Sequence, residues 1–337
     1  MRLSLSFCCI GIALPLLLAP VELASAAAEP VQVFILCGQS NMDGHGKSEM
    51  GLDAEASKKA GKTVEIKGGL GSLRWMVEHD PKTFGHGGTN PLVDAEGKWI
   101  VRDDVFVNAH VNDKTTKGAH GIGFGKGEWI GPEFGFGHVV GNALDQDVLI
   151  IKVSRGGTSL AGDWRPPSAV KKRGGRVGFM WELMTSDVKT ALDNIGQDFP
   201  MLANREYEIA GFGWHQGFND AVSKTFPLEY EENLVDLIDD VRAHFGKPNL
   251  PFVIATTSMF PPDKPDNQVE LAQRAVADAS KHPRFKGTVA TVDTGPFWRD
   301  KSISPSDFGY HWNHNGLTYY EIGTGMGKAM VKLLSSP

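Results

Sequence analysis

Four short segments carry side chains suited to acyl transfer: Gly-Gln-Ser-Asn at 38–41, Arg-Gly-Gly-Thr at 155–158, His-Gln-Gly-Phe-Asn-Asp at 215–220 and His-Trp-Asn-His-Asn-Gly at 311–316. Ser40 comes just after an apolar run, Val33 to Cys37, that breaks at Gly38. A serine lifted out of a strand end by a glycine turn has its hydroxyl free and its own N–H pointing the same way, the two requirements of an acyl-transfer nucleophile. A serine hydroxyl is a weak nucleophile until a base takes its proton, and imidazole is the side chain suited to that near neutral pH. His311 and His314 stand just before the last helical pattern and compete for that role. Taken alone, Gly-Gln-Ser-Asn is also an ordinary polar turn, so its weight depends on what positions the other three segments.

The elements that must do the positioning are strands alternating with helices. Val33–Cys37, Val148–Val153, Tyr207–Trp214, Pro251–Thr257 and Thr288–Val292 read as strands. Helical periodicity follows Pro132, runs from Met180 to Ile195 and from Pro227 to Phe245, and returns from Ile322 to Leu333. Such alternation implies right-handed βαβ units with helices on both faces. The expected fold is therefore α/β, a flavodoxin-like three-layer α/β/α sandwich around a mainly five-stranded parallel sheet. The first three segments each follow a parallel strand and so project at one edge, where ligands bind in open α/β sheets. The fourth can fold back over that edge.

Residues 1–26 are set apart by Arg2, an apolar run from Leu5 to Leu18 and Ala24-Ser25-Ala26, the layout of a secretory signal peptide. Periplasmic or secreted localisation is expected, with no membrane attachment after cleavage. One domain is expected over residues 30–337, interrupted by a long glycine-rich insertion at 44–131 that forms an ordered wall of the site. That insertion shows no helical periodicity, only a hairpin at Glu96-Gly97-Lys98 leading into Trp99-Ile100-Val101. The net charge of −6 argues against a nucleic-acid partner. Past the leader the one cysteine is Cys37, at the end of the first strand, and it reads as core. The sequence does not fix an oligomeric state.

The four segments, in this order and spacing across essentially the whole mature chain, resemble the SGNH hydrolase superfamily. Within it they are most similar to the sialate O-acetylesterase and carbohydrate esterase family six branch. The resemblance implies Ser40 as nucleophile and His311 as general base, with an oxyanion hole of Ser40 N–H, Gly157 N–H and the Gln216 side-chain amide, Gly156 being the neighbouring candidate. Gln39, Asn41 and Asp220 are expected to contact substrate. No cofactor and no metal are implied, and the partner is an acetylated carbohydrate. Two departures stand out: Phe218 replaces the branch's usual Glu, and Asp307 lies four residues before His311 instead of three. Asp307, a backbone carbonyl or Asp220 is left to orient the histidine.

Other motifs carry less. Gly-His-Gly-Lys-Ser at 44–48 has the wrong glycine spacing for a phosphate loop, and Gly-Phe-Gly-His-Val-Val-Gly at 135–141 precedes a strand where a dinucleotide fingerprint follows one. His311-x-x-His314 can chelate a metal, but zinc enzymes use three protein ligands and no third stands near in sequence. Lys171-Lys172-Arg173 with Arg176 reads as a solvated basic cluster that can also face an acidic sugar. The expected function is an exported serine esterase removing O-acetyl groups from carbohydrates through an acetyl-enzyme. The alternatives are a non-catalytic carbohydrate-binding protein on the same fold and, on scattered histidines alone, a metal-dependent phosphoesterase.

Overall fold

The computed structural model describes residues 29–51, 69–261 and 264–336; the leader at 1–26 lies outside them. The first strand, β1 (Val31–Gly38), alternates as its sequence requires: Val33, Ile35 and Cys37 face one core, Phe34 and Leu36 the other. Both sides are apolar because β1 is buried on both faces, as parallel strands under two helical layers must be. Cys37 is fully buried and burial pushes its thiol up, so it is core as expected.

Six further strands join β1: β2 (Val105–Val111), β3 (Lys114–Ala119), β4 (Val148–Ser154), β5 (Tyr207–His215), β6 (Phe252–Ala255) and β7 (Val289–Val292). Their order is β3-β2-β4-β1-β5-β6-β7, parallel throughout except for the β2–β3 hairpin. Seven strands replace the expected five because the 44–131 stretch supplies β2 and β3. The same stretch holds the helical turns Leu73–His79 and Pro81–Phe84, each capped by a side chain, Ser72 and Asp80. Elements this short do not build a periodic signal, and the expected hairpin at Glu96–Lys98 is a turn closed by one bridge, Val93 to Trp99.

Helices α1 (Pro132–Ala143) and α5 (Gly316–Leu334) cover one face, with Phe134, Phe136, Ile322 and Met326 in its core. They cross closely: a Cβ added to Gly323 would lie 2.0 Å from the Pro132 carbonyl oxygen. Helices α2 (Phe179–Asp193), α3 (Tyr230–His244) and α4 (Gln268–Ala277) cover the other, burying Met184, Val188, Leu234, Ile238 and Val276. α4 is absent from the periodicity reading, although Asn267 and Glu270 form a capping box that announces its start. β1 lies between β4 and β5, so the chain crosses over it after β4. That reversal opens a crevice beyond the carboxyl end of β1.

Candidate active site

Gly38 closes β1 in register with Ser154 of β4 and His215 of β5, so three strand ends meet at the crevice floor. Only glycine fits there, since a Cβ would stand 2.1 Å from the His215 carbonyl oxygen. Ser40–Asp43 then form a single helical turn, released at Gly44, whose φ of 97° lets the chain pass against Gly131. Ser40 opens that turn, half-buried, and among the described residues its backbone N–H has no acceptor. Gly156 approaches from the end of β4: a Cβ built on it would lie 3.5 Å from Ser40 Cβ. The Gly156 N–H is taken by Asn112 Oδ1 at 3.1 Å, whereas Gly157, at φ 76°, faces open space and its N–H has no acceptor among the described residues. Among the described residues two backbone donors are therefore left without an acceptor, that of Ser40 itself and that of Gly157, the residue after Gly156.

The Gln216 carboxamide is placed otherwise than expected. It is fully buried and its Nε2 donates to Thr158 O at 2.9 Å and Asp220 Oδ2 at 2.6 Å, with Gln39 Oε1 at 3.2 Å. An amide nitrogen has two hydrogens, and both are committed inward. The expected substrate contacts are likewise structural brackets. Gln39 Oε1 accepts the Gly217 N–H at 3.0 Å and the Asn219 N–H at 3.3 Å, and buried Asp220 accepts from Leu160 and Ala161 N–H at 2.8 and 3.0 Å. Asn41 Nδ2 donates to Tyr310 O at 3.1 Å while its Oδ1 accepts from the Tyr319 hydroxyl at 2.6 Å. Residues flanking a strand-end turn are buried by the loops that converge on it, so their polar groups go first to backbone.

His311 lies in the 3₁₀ segment Gly309–His314. Trp312, Asn313 and His314 follow it with φ of 53°, 53° and 58°, three successive non-glycine residues in the left-handed region. Such backbone persists only when the surroundings over-determine it. Here buried Trp312, the Asn313 Nδ2 bond to Arg299 O at 2.9 Å and the Asn315 Nδ2 bond to Ser304 Oγ at 3.0 Å do so. The Asn41–Tyr310 bond ties this segment directly to the residue after Ser40, while no hydrogen bond joins Ser40 to His311 among the described residues.

Asp307 is not brought to His311. It is exposed, it makes no bond to the ring, and His311 Nδ1 is buried without a hydrogen-bond partner among the described residues. The reason is local: Phe308 turns inward onto His314, with ring centroids 5.1 Å apart, and that turn sends the preceding residue outward. Burial first, then the charges of His314 and Lys126, pull the His311 pKa down to about 3, leaving a neutral imidazole.

Several site residues escape a reading of motifs. Asn112, in the tight turn between β2 and β3, donates to Asp43 Oδ2 at 3.1 Å and thereby anchors both Asp43 and Gly156. Its signal was an Asn-Asp pair between two strand-like runs. His45 stacks on His311 at 3.8 Å, and Trp129 from the insertion stands 5.9 Å from His45 and 5.3 Å from His314. One ring nitrogen from each of His45, His311 and His314 lies within 4.8 Å of the other two, the one group among the described residues with the makings of a metal site.

A mostly parallel seven-stranded sheet thus lies between two helical layers, with Ser40 raised at the end of its central strand and the His311 loop tied to that turn through Asn41. The chain belongs to the family described as carbohydrate esterase, sialic acid-specific acetylesterase, whose model matches residues 30–331. The fold is similar to that of a structurally determined protein from Arabidopsis thaliana, at 18% identity and a TM-score of 0.55, covering 90% of this chain and 98% of that one. A carbohydrate acetylesterase from Xanthomonas citri matches at 12% identity and TM-score 0.47 over 88% of this chain and 55% of that one, and NanS at 12% and 0.42 over 85% and 86%. No curated protein sequence matches. Among the described residues no helix is long and apolar enough to cross a membrane.

Proposed function

We propose that the protein is an exported serine esterase that removes O-acetyl groups from carbohydrates, sialate or an acetylated polysaccharide, through an acetyl-enzyme. Ser40 Oγ attacks the acetyl carbonyl as His311 takes its proton. The oxyanion is met by the N–H groups of Ser40 and Gly157, each such donor being worth roughly 3 kcal/mol of barrier. Collapse expels the sugar alkoxide, which takes the proton back from His311, and leaves acetate esterified to Ser40. Water, deprotonated by His311, then releases acetate and restores the serine. The reaction needs no cofactor. Export rests on the leader-like composition of residues 1–26.

The observation that carries this reading is the fastening of the His311 segment to the Ser40 turn through Asn41 and Tyr310. Gln216, with its amide committed to Thr158 and Asp220, supports the hole by holding Gln39 and the 158–161 backbone instead of donating to the oxyanion. The bare Nδ1 of His311 keeps a second reading in play, a carbohydrate-binding protein with incomplete acid–base machinery. Hydrolysis of p-nitrophenyl acetate separates the two. Wild type should turn over, and Ser40→Ala should lose at least about a thousandfold. Equal rates in both proteins would remove Ser40 from the mechanism, and no activity in either would favour the binding protein.

A further inference from the structure

We propose that His45, His311 and His314 form a site for a divalent late first-row transition metal, Zn²⁺ foremost, and that filling it withdraws His311 from the esterase reaction. The second half rests on the reading of His311 as the base; the first does not. His311-x-x-His314 has no third ligand nearby in sequence, but the positive-φ turn at Gly44 sends His45 back onto the last loop. All three histidines come together there with candidate ligand nitrogens within 4.8 Å. The rings lie nearly parallel, His45 at 3.8 Å from His311 and 5.7 Å from His314. Tetrahedral zinc, with Zn–N of about 2.1 Å, needs its nitrogens about 3.4 Å apart. A ring nitrogen's lone pair lies in the ring plane, so closing the set takes side-chain rotations that turn the stacked rings edge-on to the ion as their nitrogens draw together from within 4.8 Å.

A second observation points the same way. Among the described residues His45 Nδ1 and His311 Nδ1 are buried with no hydrogen-bond partner. Such orphaned acceptors or donors are rare and costly in folded proteins, and a metal ion satisfies two of them at once. An all-imidazole set favours zinc, copper or nickel over magnesium or calcium, which want oxygen. Trp129 walls the cluster, and Lys47 Nζ lies 3.2 Å from its ring centroid with Lys126 Nζ at 5.9 Å. Those two ammonium groups repel a dication, so binding should be moderate and reversible, as suits an inhibitory ion. Three histidines leave a fourth position open. With the metal on His311 Nδ1, the neutral ring carries its hydrogen on Nε2, which then has no lone pair for the Ser40 proton.

The test starts from chelator-treated Ser40→Ala protein titrated with ZnCl₂ by calorimetry. One Zn²⁺ per chain is expected, with affinity lowered at least about tenfold by His45→Gln or His314→Gln in the same background. Co²⁺ added to the unmutated chain should give the intense visible bands of a four- or five-coordinate ion, a readout that does not depend on a variant folding. In wild type, Zn²⁺ at concentrations that saturate Ser40→Ala should suppress p-nitrophenyl acetate turnover at least about tenfold, with EDTA restoring it. Zinc uptake unchanged by His45→Gln, or only weak six-coordinate cobalt bands, overturns the site. Turnover raised by zinc or abolished by EDTA overturns the inhibitory role. If the serine esterase reading itself fails, wild type and Ser40→Ala have equal rates while the calorimetry still reports on the metal.

Discussion

Asn41 and Tyr310, 269 positions apart, are joined by a hydrogen bond of 3.1 Å from the Asn41 amide to the Tyr310 carbonyl. The same Asn41 side chain accepts from the Tyr319 hydroxyl at 2.6 Å, so one carboxamide couples the Ser40 turn, the His311 segment and α5. Asn41→Ala takes the donor from the Tyr310 carbonyl and leaves the buried Tyr319 hydroxyl only the His311 carbonyl at 3.4 Å, a cost of about 1–3 kcal/mol. The expected outcome is a clear fall in melting temperature and a loss in kcat well beyond any change in KM, because positioning of His311 is what fails. Tyr319→Phe removes only one of the two bonds and should lose less on both counts. Steady-state kinetics and thermal melts on the pair of variants check this, and a KM-only effect for Asn41→Ala would return that residue to substrate binding.

Asp307 is exposed and makes no bond to His311. In a serine triad, loss of the carboxylate that orients the imidazole costs about four orders of magnitude in kcat. Here Asp307→Asn should leave kcat on p-nitrophenyl acetate within about twofold, as for an ordinary surface position. A loss of a hundredfold or more would mean that the segment rearranges in the working enzyme to bring the carboxylate in.

The contrast between Ser40 and Asp307 shows what the sequence could carry. Five of the strands, β1, β4, β5, β6 and β7, and four of the helices were legible because burial on both faces writes a continuous apolar run, as in Val148–Ser154, and burial of one stripe writes a helical period, as in Phe179–Asp193. Position at the sheet edge followed from strand direction alone, which is why Gly38, Gly157 and His215 converge. Side-chain direction did not follow. Whether Gln216 faces substrate or Thr158 depends on which buried carbonyls lack a donor, and Phe308 displaces Asp307 because its ring has a buried neighbour in His314. His45 was invisible for a related reason: its partners are more than 260 residues away and no local pattern marks them.

Lys152 gave no sign of its role, standing in an otherwise apolar strand. Its Nζ is fully buried and donates to Glu133 Oε2 at 2.7 Å, Phe124 O at 2.5 Å and Asp43 O at 3.1 Å, while Glu133 Oε1 accepts the Gly131 N–H at 2.8 Å. The pair thus fixes the end of the Ser40 turn from beneath. Removing one partner of a buried ion pair costs about 3–5 kcal/mol because the other charge is left uncompensated. Lys152→Met should lose that much in denaturant unfolding and lower esterase activity with it. Lys152→Met/Glu133→Met should recover part of the stability, but not all, since the Gly131 N–H and two carbonyls stay unmet. A double variant no more stable than Lys152→Met would show that the polar network, and not the lone charge, dominates.

His215 offers a test of how far burial itself sets stability. It is fully buried at the end of β5, with Nδ1 3.3 Å from the Ala255 carbonyl, and burial pulls its pKa down to about 4, the hydrogen bond opposing only in part. An unfolded histidine titrates near 6.5. Between those values the unfolded chain binds a proton that the folded chain refuses, so stability rises with pH across the window and is lost as pH falls through it. From pH 7 to pH 5 this one group should cost about 2 kcal/mol. Buried Asp220 and Glu270, whose pKa values are raised by burial, act in the opposite sense, so the wild-type curve alone does not isolate it. His215→Gln does: its unfolding free energy, whatever its value at pH 7, should fall by about 2 kcal/mol less than wild type on going to pH 5. Parallel curves for the two proteins would mean that His215 is solvated or protonated in the folded state, and that the floor of the crevice is wetter than its packing indicates.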